Sequence, residues 1–325
     1  MKRLLLVMLA FALHCSNSGS ENKIKWNDAP PSTQKFKDIQ QVSANFSIAK
    51  GITDSSGNVY TFRGNRVYKV DTALNATTIA GSGSGTHSDG ALLAAGVPTP
   101  LFISIDSQQR IHAFYLDRLR ILSLVAGTTS TVMLTLPLTA SVVGFSADPT
   151  GSIDYYTLAN DSSIYSLDTS SGVSTAIITG SGDVLGPIAT AKFSGPSTIM
   201  AVNGGLYVID FYNKKIKVKD ATNVTNYSCR SQTTSQTSSL GTDGPAQSCT
   251  YGYITSAFLV NNEIYFIESW SVIRKMNADG SVTTFGKIYD LNSIHPIDNI
   301  LVTPDKTIYV TQGNSLIRVK TYESN

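Results

Sequence analysis

Charge is scarce in this sequence: Asp, Glu, Lys and Arg make up 15% of its 325 residues. The 25 basic and 23 acidic side chains nearly cancel, and setting aside Lys2 and Arg3 leaves 23 against 23. A chain this close to neutral offers no electrostatic support for nucleic acid as a partner. Cysteine numbers three, and no CxxC spacing builds a zinc site. HExxH and GxSxG are also missing, which removes the zinc-protease and serine-hydrolase signatures. Residues 81–85 (GSGSG) are followed by no Walker lysine and no helix, so they read as a turn. No apolar run reaches the roughly 20 residues of a membrane helix. Beyond the first fifteen residues there is no useful stretch of helical period either.

What is present starts at the N-terminus. Lys2-Arg3 precede an apolar run from Leu4 to Leu13, the layout of a secretory signal. Cys15 follows directly, with a Ser/Asn-rich stretch behind it, so residues 1–15 resemble a bacterial lipoprotein signal with Cys15 as the lipidated residue. The fit departs from the usual pattern, because Ala12-Leu13-His14 stand where a small residue and then Gly or Ala are expected before the cysteine. Residues 16–37, with Pro30-Pro31, have the composition of a flexible tether. The expected location is the bacterial envelope, outside the cytoplasm, with the membrane reached only through the anchor. In an exported chain the other two cysteines, Cys229 and Cys249, are expected to be disulfide-bonded around a Ser/Thr/Gln-rich insertion.

Residues 38–325 are organised by a recurring strand. Its clearest copy is 199–219, where an Asn203-Gly204 hairpin turn leads into Leu206 to Ile209, apolar at every position. A strand apolar on both faces must be covered on both faces. The signature recurs at Val59-Tyr60, Ile111-His112, Ile153-Asp154-Tyr155, Leu206-Tyr207, Ile264-Tyr265 and Ile308-Tyr309. Subtracting successive first positions gives spacings of 52, 42, 53, 58 and 44 residues. Repeats of about 40–50 residues with four strands each are propeller blades. The fold class is therefore all-β: a six-bladed β-propeller of four-stranded antiparallel blades. The last unit is one strand short, and residues 38–44 carry a spare strand before the first. Those residues are expected to become the outer strand of the last blade and close the ring.

The closest copies, DSSGNVYTFRGNRVYKV (54–70) and GLYVIDFYNKKIKV (205–218), together with the loops GSGSGTHSDG (81–90) and LGTDG (240–244), resemble the NHL-repeat β-propellers. Two units depart from the pattern. Unit two has Gln109 and His112 where Gly and Tyr are expected, and unit three slips by one residue at Ile153-Asp154-Tyr155. His112 takes a strand position that packs inward and is expected in the core. The resemblance implies a binding or scaffold module for a protein or small ligand. It also leaves open a metal-dependent lyase or lactonase, since related propellers hold zinc or calcium near the axis. The residues give no catalytic set and no cofactor; His87 and His295, in inter-unit loops, are the candidate metal ligands under the enzyme alternative.

The working surface is expected on the face carrying the loops between second and third strands together with the loops between units. The corner residues expected there are Arg63, Asn65, Tyr115, Asp117, Asp210, Tyr212, Asn213, Glu268, Trp270, Gln312 and Asn314. Aromatics beside charges are what protein interfaces enrich, with Trp, Tyr and Arg carrying most of the energy. The expected partner is a protein or other component of the cell envelope, met by a monomer.

Overall fold

The structure, a computed structural model, describes residues 36–43, 51–135, 138, 141–159, 161–231, 240–287, 297–312 and 315–321. Cys15, residues 16–35, His295 and Asn314 lie outside the described residues, and Gln312 is described in its backbone only. Among the described residues every regular element is a strand. They form six antiparallel blades around an axis. From the axis outward, blade 1 is Gly51–Thr53, Val59–Arg63, Arg66–Val70 and Ala76–Ala80. Blade 2 is Phe102–Ile105, Arg110–Phe114, Arg118–Ser123 and Thr128–Met133. Blade 3 is Val142–Ala147, Ile153–Leu158, Ile164–Asp168 and Ser174–Ile178. Blade 4 is Pro196–Val202, Gly205–Asp210, Lys215–Lys219 and Asn223–Ser228; blade 5 is Ile254–Val260, Glu263–Glu268, Val272–Met276 and Val282–Lys287.

Blade 6 has three strands of its own, Ile297–Val302, Ile308–Gln312 and Ser315–Thr321. Its outer strand is the N-terminal Phe36–Ser43, paired antiparallel from Phe36 against Thr321 to Ser43 against Leu316. This is the expected closure, begun two residues earlier than residue 38. Two blades differ from the four-stranded expectation. Blades 2 and 4 each gain a two-residue fifth strand, Gly90–Ala91 and Gly186–Pro187, laid by the preceding inter-unit loop along the outer edge. Covering an edge in this way removes unpaired backbone groups from solvent.

The second strands explain the ring. Val59, Ile111, Leu206, Ile264 and Ile308 pack against the preceding blade, and Tyr60, Tyr155, Tyr207, Tyr265 and Tyr309 against the following one. Each seam between blades is one apolar cluster, including the closing seam where Tyr309 of blade 6 meets Val59 of blade 1. Inner strands are also stitched across seams. The Ala147 N–H donates to Ser104 Oγ at 2.9 Å, the Ala201 N–H to Ser146 Oγ at 3.0 Å, and Thr53 Oγ1 to the Val302 carbonyl at 3.0 Å. Blades 3 and 4 approach so closely that a Cβ on Gly144 would stand 1.8 Å from the Ser197 carbonyl oxygen. Only glycine fits there.

The Cys229–Cys249 disulfide is present, with both residues buried between blades 4 and 5. A short parallel pair, Arg230–Ser231 with Thr250–Tyr251, continues from it.

Removing residues 1–45 deprives Ser315–Thr321 of its outer partner and reopens the ring. The melting temperature should fall by roughly 10 °C or more, several kcal/mol for a chain of this size. Scanning calorimetry of the truncated protein gives the answer, and an unchanged transition would contradict closure by this strand.

Candidate functional site

Two surfaces compete for a functional role: the axial channel and the corner face. The channel is a cavity of about 550 Å³ lined by the inner strand of every blade. Its lining is rich in hydroxyls and carboxylates, and several of these groups are engaged. Ser104 and Ser146 accept the interblade bonds above, and Ser256 Oγ donates to Asn299 Oδ1 at 2.6 Å across the blade 5–6 seam. Asp54 accepts the N–H groups of Ser56 and Asn58 and the Tyr60 hydroxyl, each at 2.9 Å. Asp106 is tied in the same way to its own turn. Part of the channel's polarity thus stitches blade to blade, and part holds individual turns in shape.

On the corner face, inter-unit loops and second-strand ends build a repeated ion pair around a buried cation. In blades 2, 4 and 5 a cation sits at the same register of the third strand: Arg120, Lys217 and Arg274, each opposite the middle of the second strand. All three are buried. An aspartate from the preceding inter-unit loop reaches each one: Asp89 at 3.3 Å, Asp183 at 2.9 Å and Asp243 at 2.9 Å. Asp243 also accepts the Thr284 N–H at 2.7 Å, and Asp89 the Thr131 N–H at 3.1 Å, so the loop is pinned to the outer strand as well.

Blades 4 and 5 add a second carboxylate from the end of the second strand. Asp210 meets Lys217 at 2.6 Å and Glu268 meets Arg274 at 3.0 Å. Burial pushes the Asp210 carboxyl up, against the opposing pull of Lys217. The Asp183 carboxyl is also pushed up by burial, but Lys215 and Lys217 outweigh that and hold it below its usual range. Removing one member of such a buried pair strands a charge, at a cost of about 3–5 kcal/mol.

The corner residues expected at the surface therefore divide. Asp210 and Glu268 are wholly buried in these pairs, and Asn213 supports Asp210 at 2.8 Å. Tyr115 is buried, donates to the Pro98 carbonyl, and receives the His87 ring edge-on at 4.6 Å. Burial, with Arg118 and Arg120 nearby, pulls the His87 pKa down. Asp117 accepts from Arg118 Nε at 3.0 Å, and Asn65 donates to the Gly83 carbonyl at 3.3 Å. Arg63, Tyr212 and Trp270 face solvent.

Tyr212 and Trp270 are 55% and 48% exposed, and both sit on a prepared support. The Tyr212 ring covers Gly195, where a Cβ would come within 2.5 Å of Cδ2. Phe211 joins this corner to blade 5, its ring 5.0 Å from that of Tyr253, whose carbonyl accepts the Ser269 N–H at 2.8 Å. Trp270 follows Ser269 in a hairpin corner where both have left-handed backbone, with φ of 49° and 61°. The same corner of blade 1 is built from Gly64 and Asn65, at 54° and 59°. Gly and Asn are the residues that adopt this conformation at low cost; for a bulky side chain it is strained. Strain of this kind collects at functional positions.

Sequence reasoning missed the three buried cations and their loop aspartates. The signal was there: a basic residue directly after a buried apolar one on the third strand (Leu119, Ile216, Ile273), downstream of an Asp in a Gly-rich loop. Among the described residues no three His, Cys, Asp or Glu side chains converge as a metal set.

No family model matches the chain, and no curated protein matches it in sequence. The fold is similar to that of a protein of unknown function from Bacteroides thetaiotaomicron, at 12% identity and a TM-score of 0.59, over 88% of this chain and 72% of that one. It is similar to streptogramin B lyase at 13% identity and 0.56, over 87% and 97%. An auxiliary nutrient binding protein from Bacteroides thetaiotaomicron follows at 12% and 0.55, over 86% and 70%. At these identities the likeness establishes the propeller fold alone.

Arg274→Met should unfold or strongly destabilise the protein, by about 3–5 kcal/mol, because Glu268 is left buried without its cation. Arg63→Ala, at the surface, should change stability by less than about 0.5 kcal/mol. Urea melts of the two variants make the comparison; equal effects would mean the corner carboxylates are not structural.

Proposed function

We propose that this chain is an exported, non-enzymatic binding propeller, held at the bacterial envelope through Cys15 and engaging a protein or small ligand with the corner face of blades 4 and 5. The observation that carries this reading is Trp270, a half-exposed aromatic in a strained corner where blade 1 uses Gly64 and Asn65. A turn needs no tryptophan there. Tyr212, on the neighbouring blade and fixed against Gly195, supplies a second ring that needs little ordering on binding. Trp and Tyr are the residues in which interface energy concentrates. The disulfide supports export, since such bonds persist outside the reducing cytoplasm. The near-neutral charge argues against nucleic acid as partner. The protein acts as a monomer.

The test begins with capture of partners from envelope extract by the soluble domain. Against the captured partner, Trp270→Asn and Tyr212→Ala should each weaken affinity by about 2 kcal/mol or more, roughly 30-fold. Trp270→Asn should not lower the melting temperature, since Asn suits the left-handed corner. Undiminished binding by both variants, with loss on substitution of the turns around Asp54 or Asp106, places the surface on the opposite face. A stoichiometric metal with lyase or lactonase turnover in protein purified without chelator favours the enzyme alternative.

Anchoring has its own measurement. Two or more acyl chains hold a protein on a membrane where one does not. Cys15→Ala should therefore move the protein from the membrane to the soluble fraction, and unchanged partition would refute lipidation.

A further inference from the structure

At five seams of the ring the signature positions join an apolar residue of one second strand to a tyrosine of its neighbour; at the seam between blades 2 and 3, whose apolar cluster includes Phe114 and Tyr156, they do not. There the forward-facing position, held by tyrosine in the other five blades, is His112. The backward-facing position, apolar in the other five, is Asp154, which the one-residue shift in blade 3 brings into that register. The two exceptions meet. His112 Nδ1 lies 3.0 Å from Asp154 Oδ2 in hydrogen-bond geometry and 2.9 Å from Oδ1. On its other side Nε2 lies 3.2 Å from Asp106 Oδ2, the place that the Tyr60 hydroxyl takes on Asp54 in blade 1. All three side chains are buried. Asp106 is braced by the N–H groups of Gln108 and Arg110, each at 2.9 Å, and by Arg110 Nε at 2.6 Å. Gly151 of blade 3 closes over this pair, so tightly that a Cβ there would stand 2.1 Å from Asp106 Oδ2.

A neutral imidazole has one N–H and one lone pair, so it donates to one carboxylate and turns its lone pair on the other. Placed between two ionised carboxylates, the ring is satisfied at both nitrogens only as imidazolium. We propose that the blade 2–blade 3 seam is an ionic latch, closed while His112 carries both protons, and that loss of one proton opens the ring at this seam before any other.

The direction of the pH effect follows from the surroundings. The charged groups that bear on His112 are Asp154 and Asp106, with Arg110 behind Asp106. Burial pulls the His112 pKa down, but the Asp154 charge and the hydrogen bonds of both carboxylates outweigh it and lift the pKa to about 9. A histidine raised above its unfolded value of about 6.5 contributes stability that is complete below that pH and lost as pH climbs through 9. Burial pushes Asp106 up, but its bonds from His112 and Arg110 outweigh this and bring it down to about 2. Its contribution is present above the ordinary carboxylate range and is lost only in strong acid. Burial raises the Asp154 carboxyl, against the pull of His112. The latch therefore fails on the alkaline side, leaving Asp154 buried beside an uncharged ring.

The other seams supply the control. In His112→Tyr with Asp154→Val the seam takes the chemistry of its five counterparts, and replacing a buried ion pair by packed apolar groups is often neutral or stabilising. Melting temperature is measured from pH 7 to pH 10 for wild type, both single variants and the double variant. Each single variant should melt roughly 6 °C or more below wild type at pH 7, and the double variant should recover most of that loss. Wild type should lose roughly 5 °C or more between pH 7 and pH 10 beyond any loss in the double variant. An equal alkaline loss in both, or single-variant effects that simply add, overturns the latch. Hydrogen exchange of the wild type is read in parallel. Protection factors of Arg110–Phe114 and Ile153–Leu158 should fall at pH 9.5 while those of Glu263–Glu268 and Ile308–Gln312 hold. Uniform loss across the four strands overturns the proposal even if the double variant does not fold.

Discussion

Everything in this fold depends on burying the second strand of each blade on both faces. No single blade can do so, because a sheet covers its own strands only at the edges. Stacking covers each face by a neighbour, and stacking in a circle leaves no uncovered end. The requirement is met only when Tyr309 of blade 6 finds Val59 of blade 1, so the N-terminal strand that completes blade 6 is as much a part of the core as the seams themselves. Inner-strand hydroxyls then finish the work along the axis, satisfying backbone N–H groups of the next blade where the sheets converge.

That constraint also sorts the polar residues. Along the seams the serine bridges and the His112 cluster join neighbouring blades, while the Asp210–Lys217–Asp183 and Glu268–Arg274–Asp243 sets pin an inter-unit loop to its own blade. A buried polar group without a partner costs more than the bond it makes returns, so these sets are complete or they are liabilities. Side chains the ring does not use are found at hairpin corners, and two of them are large, exposed and aromatic. Function is read from what the architecture leaves unspent.

Much of the fold was legible because the signature has a direct physical cause. Val59-Tyr60 and its repeats mark a strand buried on two sides, and the count of such strands is the count of blades. Cys229 and Cys249 were legible from compartment and number. The corner residues were less so. Asp210 and Glu268 sit in polar sequence beside Tyr212 and Trp270, and nothing local separates them. Their partners Lys217 and Arg274 come from the next strand, and Asp183 and Asp243 from loops about thirty residues upstream, so burial is decided by the twist of the blade. The one-residue slip in unit three and the histidine in unit two both looked like decay of the repeat. In space they are one interaction, visible only once two blades stand side by side.

The ring uses much of its seam polarity in its own construction, and the exposed rings of Tyr212 and Trp270 mark the corners of blades 4 and 5 as the proposed working surface. Amide hydrogen exchange of the soluble domain, with and without its captured partner, tests this directly. Partner binding should bring new protection at residues 211–214 and 269–271, with little change at the turns 54–58, 106–109 and 148–152. Protection centred on those turns and on the inner strands, with the two corners unchanged, would contradict it.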